Sequence, residues 1–204
     1  MKKAVIVDYG NVIDTFDPHI FFEKLAEHSE MDTTEACTRV SGSGFTELYE
    51  KGFITTEEYH QFICNMGFDI TLDDFIEAHT NKFEANEPMH DLIRKLKSND
   101  YQIGILSNTN QMDYDERIIR SPIIPYVDAI TVSHDIEKRK PHPHMYRDIL
   151  DKLLVCPEEA VFLDDMERNI DGARAVGLDA IRYDHRDHDD IVRRLRDEYG
   201  IKIK

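Results

Sequence analysis

Four segments of this chain put reactive side chains at the point where an apolar run stops. Ala4-Val5-Ile6-Val7 ends in Asp8-Tyr9-Gly10-Asn11-Val12, and Ile103-Gly104-Ile105-Leu106 ends in Ser107-Asn108-Thr109-Asn110. Val132 runs into Ser133-His134-Asp135-Ile136-Glu137-Lys138-Arg139-Lys140-Pro141, and Val161-Phe162-Leu163 ends in Asp164-Asp165-Met166. Asp8 is a carboxylate, one of the groups that form covalent intermediates. Ser107 offers a small hydroxyl, and the backbone amides after it can hold phosphate oxygens. Lys140 sits before a proline, which keeps it extended, and its cation can neutralise phosphate charge. The adjacent Asp164 and Asp165 raise each other's pKa unless something compensates them. A hard cation such as Mg²⁺, which takes oxygen ligands, does so.

Each segment also has a plain structural explanation. Asp before Gly and Ser before Asn are ordinary turn chemistry. The residues around Lys140 can be a solvated charge run, and Asp164 or Asp165 can cap a helix. The set is more specific than its parts. In chain order it supplies a nucleophile, a phosphate hydrogen-bonder, a charge neutraliser and a metal site. Phosphoryl transfer needs these, because its catalysis is mostly positioning and electrostatics.

Such groups must be held by elements. Lys3 to Val7, Gln102 to Leu106, Ala129 to Val132, Ala160 to Leu163 and Ala180 to Tyr183 have the short apolar character of buried strands. Between them, Pro88 to Lys97, His144 to Leu154, Asn169 to Val176 and Ile191 to Tyr199 repeat apolar residues at helical spacing. Alternating strand and helix predicts an α/β fold, a Rossmann-like parallel sheet with helices on both faces and right-handed crossovers. In such sheets ligands gather at the strand tips. Asp17 to about Ala85 shows helical signals only, including the helix entry Thr55-Thr56-Glu57-Glu58 and a break at Ser41-Gly42-Ser43-Gly44. This predicts a core domain from residues 1–14 and 86–204, and an inserted small α-helical cap over 15–85, placed as a lid above the strand tips. Phe45, Tyr49 and Phe53 are expected in the cap's own core.

The 204 residues are 41% hydrophobic and 32% charged, an ordinary globular balance, with a formal net charge of −16. That charge argues against binding nucleic acid or an anionic membrane surface. It does not argue against a phosphorylated substrate, since a local metal inverts the field. Cys37, Cys64 and Cys156 are too few and too scattered for a disulfide framework or metal spacing. With no secretory leader or membrane-length apolar run, the expected location is the cytoplasm. His142-Pro143-His144 with His134 lacks zinc spacing. The sequence carries no signal for oligomeric state.

Over essentially its whole length the chain resembles the haloacid-dehalogenase-like hydrolase superfamily, in the subgroup with a small helical cap and an Asp-x-Gly-Asn first motif. The matching stretches are Val7-Asp8-Tyr9-Gly10-Asn11-Val12, Leu106-Ser107-Asn108-Thr109, Arg139-Lys140-Pro141-His142-Pro143, and Phe162-Leu163-Asp164-Asp165 with Asn169-Ile170-Asp171-Gly172-Ala173. The resemblance implies a phosphatase in which Asp8 becomes an aspartyl phosphate that water hydrolyses. It implies Mg²⁺ on Asp8, the main-chain carbonyl of Gly10 and Asp165, with Asp164 in the outer shell. It implies Ser107 and the amide of Asn108 on the phosphoryl group, and Lys140 linking Asp8 to the metal-side acids. The implied partner is a small phosphoester, a sugar phosphate first.

One position departs from the pattern. Most phosphatases of the superfamily carry a second aspartate two residues after the nucleophile, as the acid–base. Here that residue is Gly10, which keeps the carbonyl and removes the acid. General acid–base catalysis is worth roughly 10²–10⁴-fold. Asp14 or a cap residue is the candidate replacement. Two alternatives follow. Asp8-Tyr9-Gly10 also resembles the first motif of the metal-independent 2-haloacid dehalogenases, which have no counterpart of the Asp164-Asp165 pair. A chain without the acid–base can also be a phosphometabolite-binding or partner-binding protein, although binding alone does not require the nucleophile.

Overall fold

The computed structural model describes residues 1–203. Its centre is a parallel five-stranded sheet in the order β5-β4-β1-β6-β7. The strands are β1 (Ala4–Val7), β4 (Gln102–Ser107), β5 (Ala129–Val132), β6 (Ala160–Asp164) and β7 (Asp179–Arg182). Side chains alternate across the sheet, as a strand's two-residue period requires. Val5 and Val7 pack with Leu92 and Leu96 of α6 (Glu87–Ser98) and Leu195 of α11 (His188–Asp197). Ala4 and Ile6 face the other way, onto Ile149 of α9 (Pro143–Leu153) and Ile170 of α10 (Glu167–Ala175). The expected doubly covered α/β sheet is therefore the observed one.

The register decides where the chemistry lies. Val7 is opposite Ile105 on one side and Leu163 on the other. Asp8 is thus one step past the sheet, and its N–H donates to Leu163 O at 2.9 Å. Because β1 lies between β4 and β6, the ends of these three strands open onto one crevice. Ser107 ends β4, and Asp164 ends β6. Two short helices, α7 (Gln111–Asp113) and α8 (Ser133–Ile136), follow β4 and β5 at the same end.

Five helices lie between β1 and α6: α1 (Pro18–Glu27), α2 (Thr33–Ser41), α3 (Phe45–Glu50), α4 (Thr56–Asn65) and α5 (Leu72–Thr80). They bury a separate apolar cluster that includes Leu25, Tyr49, Tyr59, Ile63 and Phe75. Thr55 and Glu58 form a reciprocal capping box at the start of α4. The segment is not purely helical, however. β2 (Asp14–Phe16) pairs antiparallel with β3 (Phe83–Ala85), so that a two-stranded ribbon joins the helices to the sheet. Three residues are too few to display a period, and these strands owe their form to each other. Phe53 also departs from expectation: it is 51% exposed, while Tyr49 is buried and Phe45 stacks on Phe62. No helix among the described residues is long and apolar enough to cross a membrane.

Candidate active site

At the tip of β1, Asp8 is buried. Its Oδ1 accepts from the Tyr9 N–H at 2.7 Å and pairs with Lys140 Nζ at 2.8 Å. The same ammonium donates to Asp164 Oδ2 at 2.7 Å. Asp164 is fully buried and otherwise occupied. Asn169 Nδ2 donates to both its oxygens at 2.9 and 3.0 Å, and the Met166 N–H donates to Oδ1 at 2.9 Å. Asp165 is less enclosed, and its Oδ2 accepts from Asn11 Nδ2 at 3.2 Å. One oxygen from each of Asp8, Asp164 and Asp165 lies within 4.8 Å of the others.

Lys140 reaches this cluster because its main chain is clamped. Asn108 Oδ1 accepts from the Lys140 N–H at 2.7 Å, and Asn108 Nδ2 donates to Lys140 O at 3.1 Å. From behind, α10 comes close at Gly172. A Cβ there would lie 2.6 Å from Pro141 Cβ and 2.7 Å from the Tyr146 hydroxyl. Only a glycine lets the helix carrying Asn169 sit directly against the loop carrying Lys140.

One ammonium therefore faces three carboxylates. Burial on its own would depress the Lys140 pKa, but Asp8 and Asp164 together push it above the ordinary lysine value. Asp164 is held below the usual carboxylate range despite its burial, because Lys140, the Met166 N–H and Asn169 all favour its charge. The deficit falls on the other two. Burial raises Asp8 well above its usual pKa and outweighs Lys140, with Asp164 adding to the rise. Burial and then Asp164 raise Asp165. A divalent cation fits this imbalance in charge, and the all-oxygen donor set suits a hard one. The bridge between Gly10 and Asp14 is made through Tyr9 O and Asn11 N, so the Gly10 carbonyl takes no part in it. No histidine among the described residues joins this cluster. His134 Nδ1 contacts Thr109 O, and His142 caps α9.

Ser107, Asn108 and Gly10 line a cavity of about 300 Å³ between the sheet tips and the inserted helices. The Ser107 hydroxyl and the Asn108 N–H have no protein partner among the described residues. The Asn108 side chain is spent on Lys140, which leaves its main chain as the part able to meet a ligand. Asp14, a candidate replacement for the absent acid, does not line this cavity, and neither do Asp8, Lys140, Asp164 and Asp165. It accepts from the Tyr9 hydroxyl at 2.7 Å, contacts His90 Nε2 at 3.1 Å and lies 3.5 Å from Arg117. It is a structural carboxylate at the base of the β2–β3 ribbon. Asn11 and Asn169 stand in the recognised motifs, but nothing in their spacing shows which acids they hold. His79, Lys82 and Asp113 also line the cavity, and no sequence signal brings them together.

The family model for haloacid dehalogenase-like hydrolases matches residues 10–183. Over 192 residues the chain is 22% identical to a D-ribitol-5-phosphate phosphatase of Bacteroides thetaiotaomicron, with 89% of this chain and 92% of that protein covered. Over 217 residues it is 27% identical to a glyceraldehyde 3-phosphate phosphatase of Methanopyrus kandleri, with 97% and 91% covered. The fold is shared with a solved HAD family enzyme from Bacteroides thetaiotaomicron in complex with magnesium and inorganic phosphate. That likeness has a TM-score of 0.78 at 21% identity, over 89% of this chain and 94% of that one. An L-2-haloacid dehalogenase from Xanthobacter autotrophicus shares it at a TM-score of 0.65 and 17% identity, over 89% and 77%.

Proposed function

This chain belongs to the haloacid dehalogenase-like hydrolases, and from that premise we propose that it is a magnesium-dependent phosphatase of small phosphorylated metabolites, sugar phosphates first. The observation that carries the reading is the gathering of Asp8, Asp164 and Asp165 within 4.8 Å around a single lysine. That excess of negative charge repels the carboxylate of a 2-haloacid, and it favours a divalent cation together with the phosphate the cation attracts. The relatives named as phosphatases of ribitol 5-phosphate and glyceraldehyde 3-phosphate support the same class.

In this account the Asp8 carboxylate attacks phosphorus and carries the phosphoryl group as an acyl phosphate, which water then hydrolyses. The Ser107 hydroxyl and the Asn108 N–H hold the phosphoryl oxygens. Lys140 keeps Asp8 oriented and offsets its charge. Asp8, the Gly10 carbonyl and Asp165 are the ligands we assign to Mg²⁺, with Asp164 behind them in the outer shell. When bound, the ion supplies positive charge to the non-bridging phosphoryl oxygens. Residues 15–85 act as the cap that encloses the leaving group, and residues 1–14 and 86–204 form the core that carries the reacting groups. Three free cysteines, Cys37, Cys64 and Cys156, suit a reducing cytoplasm.

The test is a screen of small phosphoesters for phosphate release, with and without Mg²⁺, beside a panel of 2-haloacids scored for halide. Mg²⁺-dependent phosphate release is expected. Metal-independent halide release without phosphate release would overturn the reading in favour of a dehalogenase. Ligand binding without turnover of either series would leave a binding protein.

A further inference from the structure

The cavity wall beyond Ser107 and Asn108 holds three titratable side chains that the reaction above leaves unused. His79 stands in the last turn of α5, Lys82 in the turn before β3, and Asp113 ends α7. His79 and Asp113 are buried, and the Lys82 side chain is 10% exposed. His79 Nδ1 lies 2.9 Å from Asp113 Oδ1 and 2.8 Å from Lys82 Nζ. One ring nitrogen cannot donate to a carboxylate and accept from an ammonium at the same time. Donation to Asp113 satisfies that carboxylate, whose Oδ2 also accepts from Asn110 Nδ2 at 3.0 Å. Lys82 then keeps only contacts of 3.4 Å, to Asp113 Oδ2 and His79 Nε2. In that tautomer the buried ammonium lacks a short acceptor, which is costly, whereas in the other His79 Nδ1 accepts from it at 2.8 Å; in both it borders the cavity.

A second observation concerns the missing acid. A side chain at residue 10 would press on Phe16, because a Cβ on Gly10 would lie 3.1 Å from Phe16 Cε1. Phe16 packs on Phe83 with ring centroids 5.5 Å apart. Lys82 Nζ stands 5.0 Å from the Phe83 centroid. The cavity wall that replaces an acid at position 10 therefore leads, over two rings, to Lys82.

We propose that Lys82 is the general acid of this enzyme, donating a proton to the leaving-group oxygen, with His79 and Asp113 as the positioning residues that present it. The proposal rests on the phosphatase reading above. As Asp8 bonds to phosphorus, the bond from phosphorus to the leaving oxygen breaks. Its electron pair stays on that oxygen, and a proton from Lys82 Nζ completes the alcohol. Water then attacks phosphorus, the bond to Asp8 breaks, and the proton lost by water returns to the neutral Lys82 amine. Phosphoester and water become alcohol and phosphate, and the enzyme is restored. Burial depresses the Lys82 pKa below that of an ordinary lysine, against the pull of Asp113 and Glu50. That makes it a stronger acid than a solvated lysine.

The test compares leaving groups within one preparation of the full chain with Mg²⁺. An alkyl ester such as glycerol phosphate needs its leaving oxygen protonated, whereas p-nitrophenyl phosphate does not. Lys82→Met is expected to lower kcat/KM for the alkyl ester by about 10²–10³-fold and for the aryl ester by less than about tenfold. The ratio of the two is independent of the fraction of protein that folds. Lys82→Arg keeps the charge but cannot release the proton, so it should keep KM for the alkyl ester and still lose kcat. Equal changes for both esters in Lys82→Met, or wild-type kcat on the alkyl ester in Lys82→Arg, overturn the proposal. A wild-type enzyme that releases phosphate from neither ester overturns the phosphatase reading itself.

Discussion

The side-chain amide of Asn108 grips the main chain of Lys140 at both ends, accepting from its N–H at 2.7 Å and donating to its carbonyl at 3.1 Å. The residue beside Ser107 thus sets the position of the lysine that bridges Asp8 and Asp164. Asn108→Leu should lose both activity and stability. Two main-chain groups of Lys140 lose their partners, which costs about 1–3 kcal/mol each when they stay dry. We expect kcat to fall about a hundredfold, in line with a misplaced catalytic group. Steady-state kinetics and urea unfolding on the same protein check this.

Gly10→Asp should not restore an acid–base. The new side chain meets Phe16 Cε1 at 3.1 Å, and overpacking of this kind costs about 1–3 kcal/mol. We expect a lower Tm and no gain in kcat. Adding Phe16→Ala to the same chain should recover part of the Tm, because it removes the ring that the new side chain meets.

Lys140→Met leaves Asp8, Asp164 and Asp165 without their cation. Removing one partner from a buried charge cluster costs about 3–5 kcal/mol, so the metal-free variant should unfold far more easily. Mg²⁺ should then raise Tm more in the variant than in the wild type, since it binds where repulsion is worst. An equal Mg²⁺ shift in both proteins would argue against a metal on these acids.

The His79–Asp113 pair makes a prediction about acid stability. Burial, helped by Lys82 and opposed by Asp113, holds His79 below the ordinary value of 6.5. The unfolded chain therefore takes up that proton first, and stability falls as pH drops below that value. Asp113 is held far below the usual carboxylate range: burial would raise it, but His79 and Lys82 outweigh burial. Its contribution is present above the unfolded carboxylate value and is lost at still lower pH. His79→Gln should flatten the unfolding free energy between about pH 7 and pH 5, measured by urea titration at each pH. His188, also lowered by burial, keeps its own slope in both proteins.

The sheet and the placing of Asp8, Ser107 and Asp164 at its strand ends are legible in the sequence because they obey local rules. β1, β4 and β6 are buried on both faces, so their apolar runs are nearly continuous and end visibly at Asp8, Ser107 and Asp164. Lys140 stood out by its proline and by the company of the other three. What escaped depends on pairing across the chain. β2 and β3 are three-residue strands defined by each other. Asn11 and Asn169 were visible as letters in motifs, yet only the folded crevice shows that one holds Asp165 and the other Asp164. His79 is 34 residues from Asp113, a separation that no local pattern bridges. The cavity is the only reason to read the two together.

The central claim is that Asp8 carries the phosphoryl group. The most direct measurement is acid quenching of the wild-type enzyme during turnover of a phosphoester it hydrolyses, with Mg²⁺, followed by peptide mass analysis. The account predicts one added phosphoryl group on the peptide containing Asp8, and none in Asp8→Asn, which should still bind inorganic phosphate but not turn over. A phosphoryl group on any other residue, or undiminished turnover by Asp8→Asn, would contradict it.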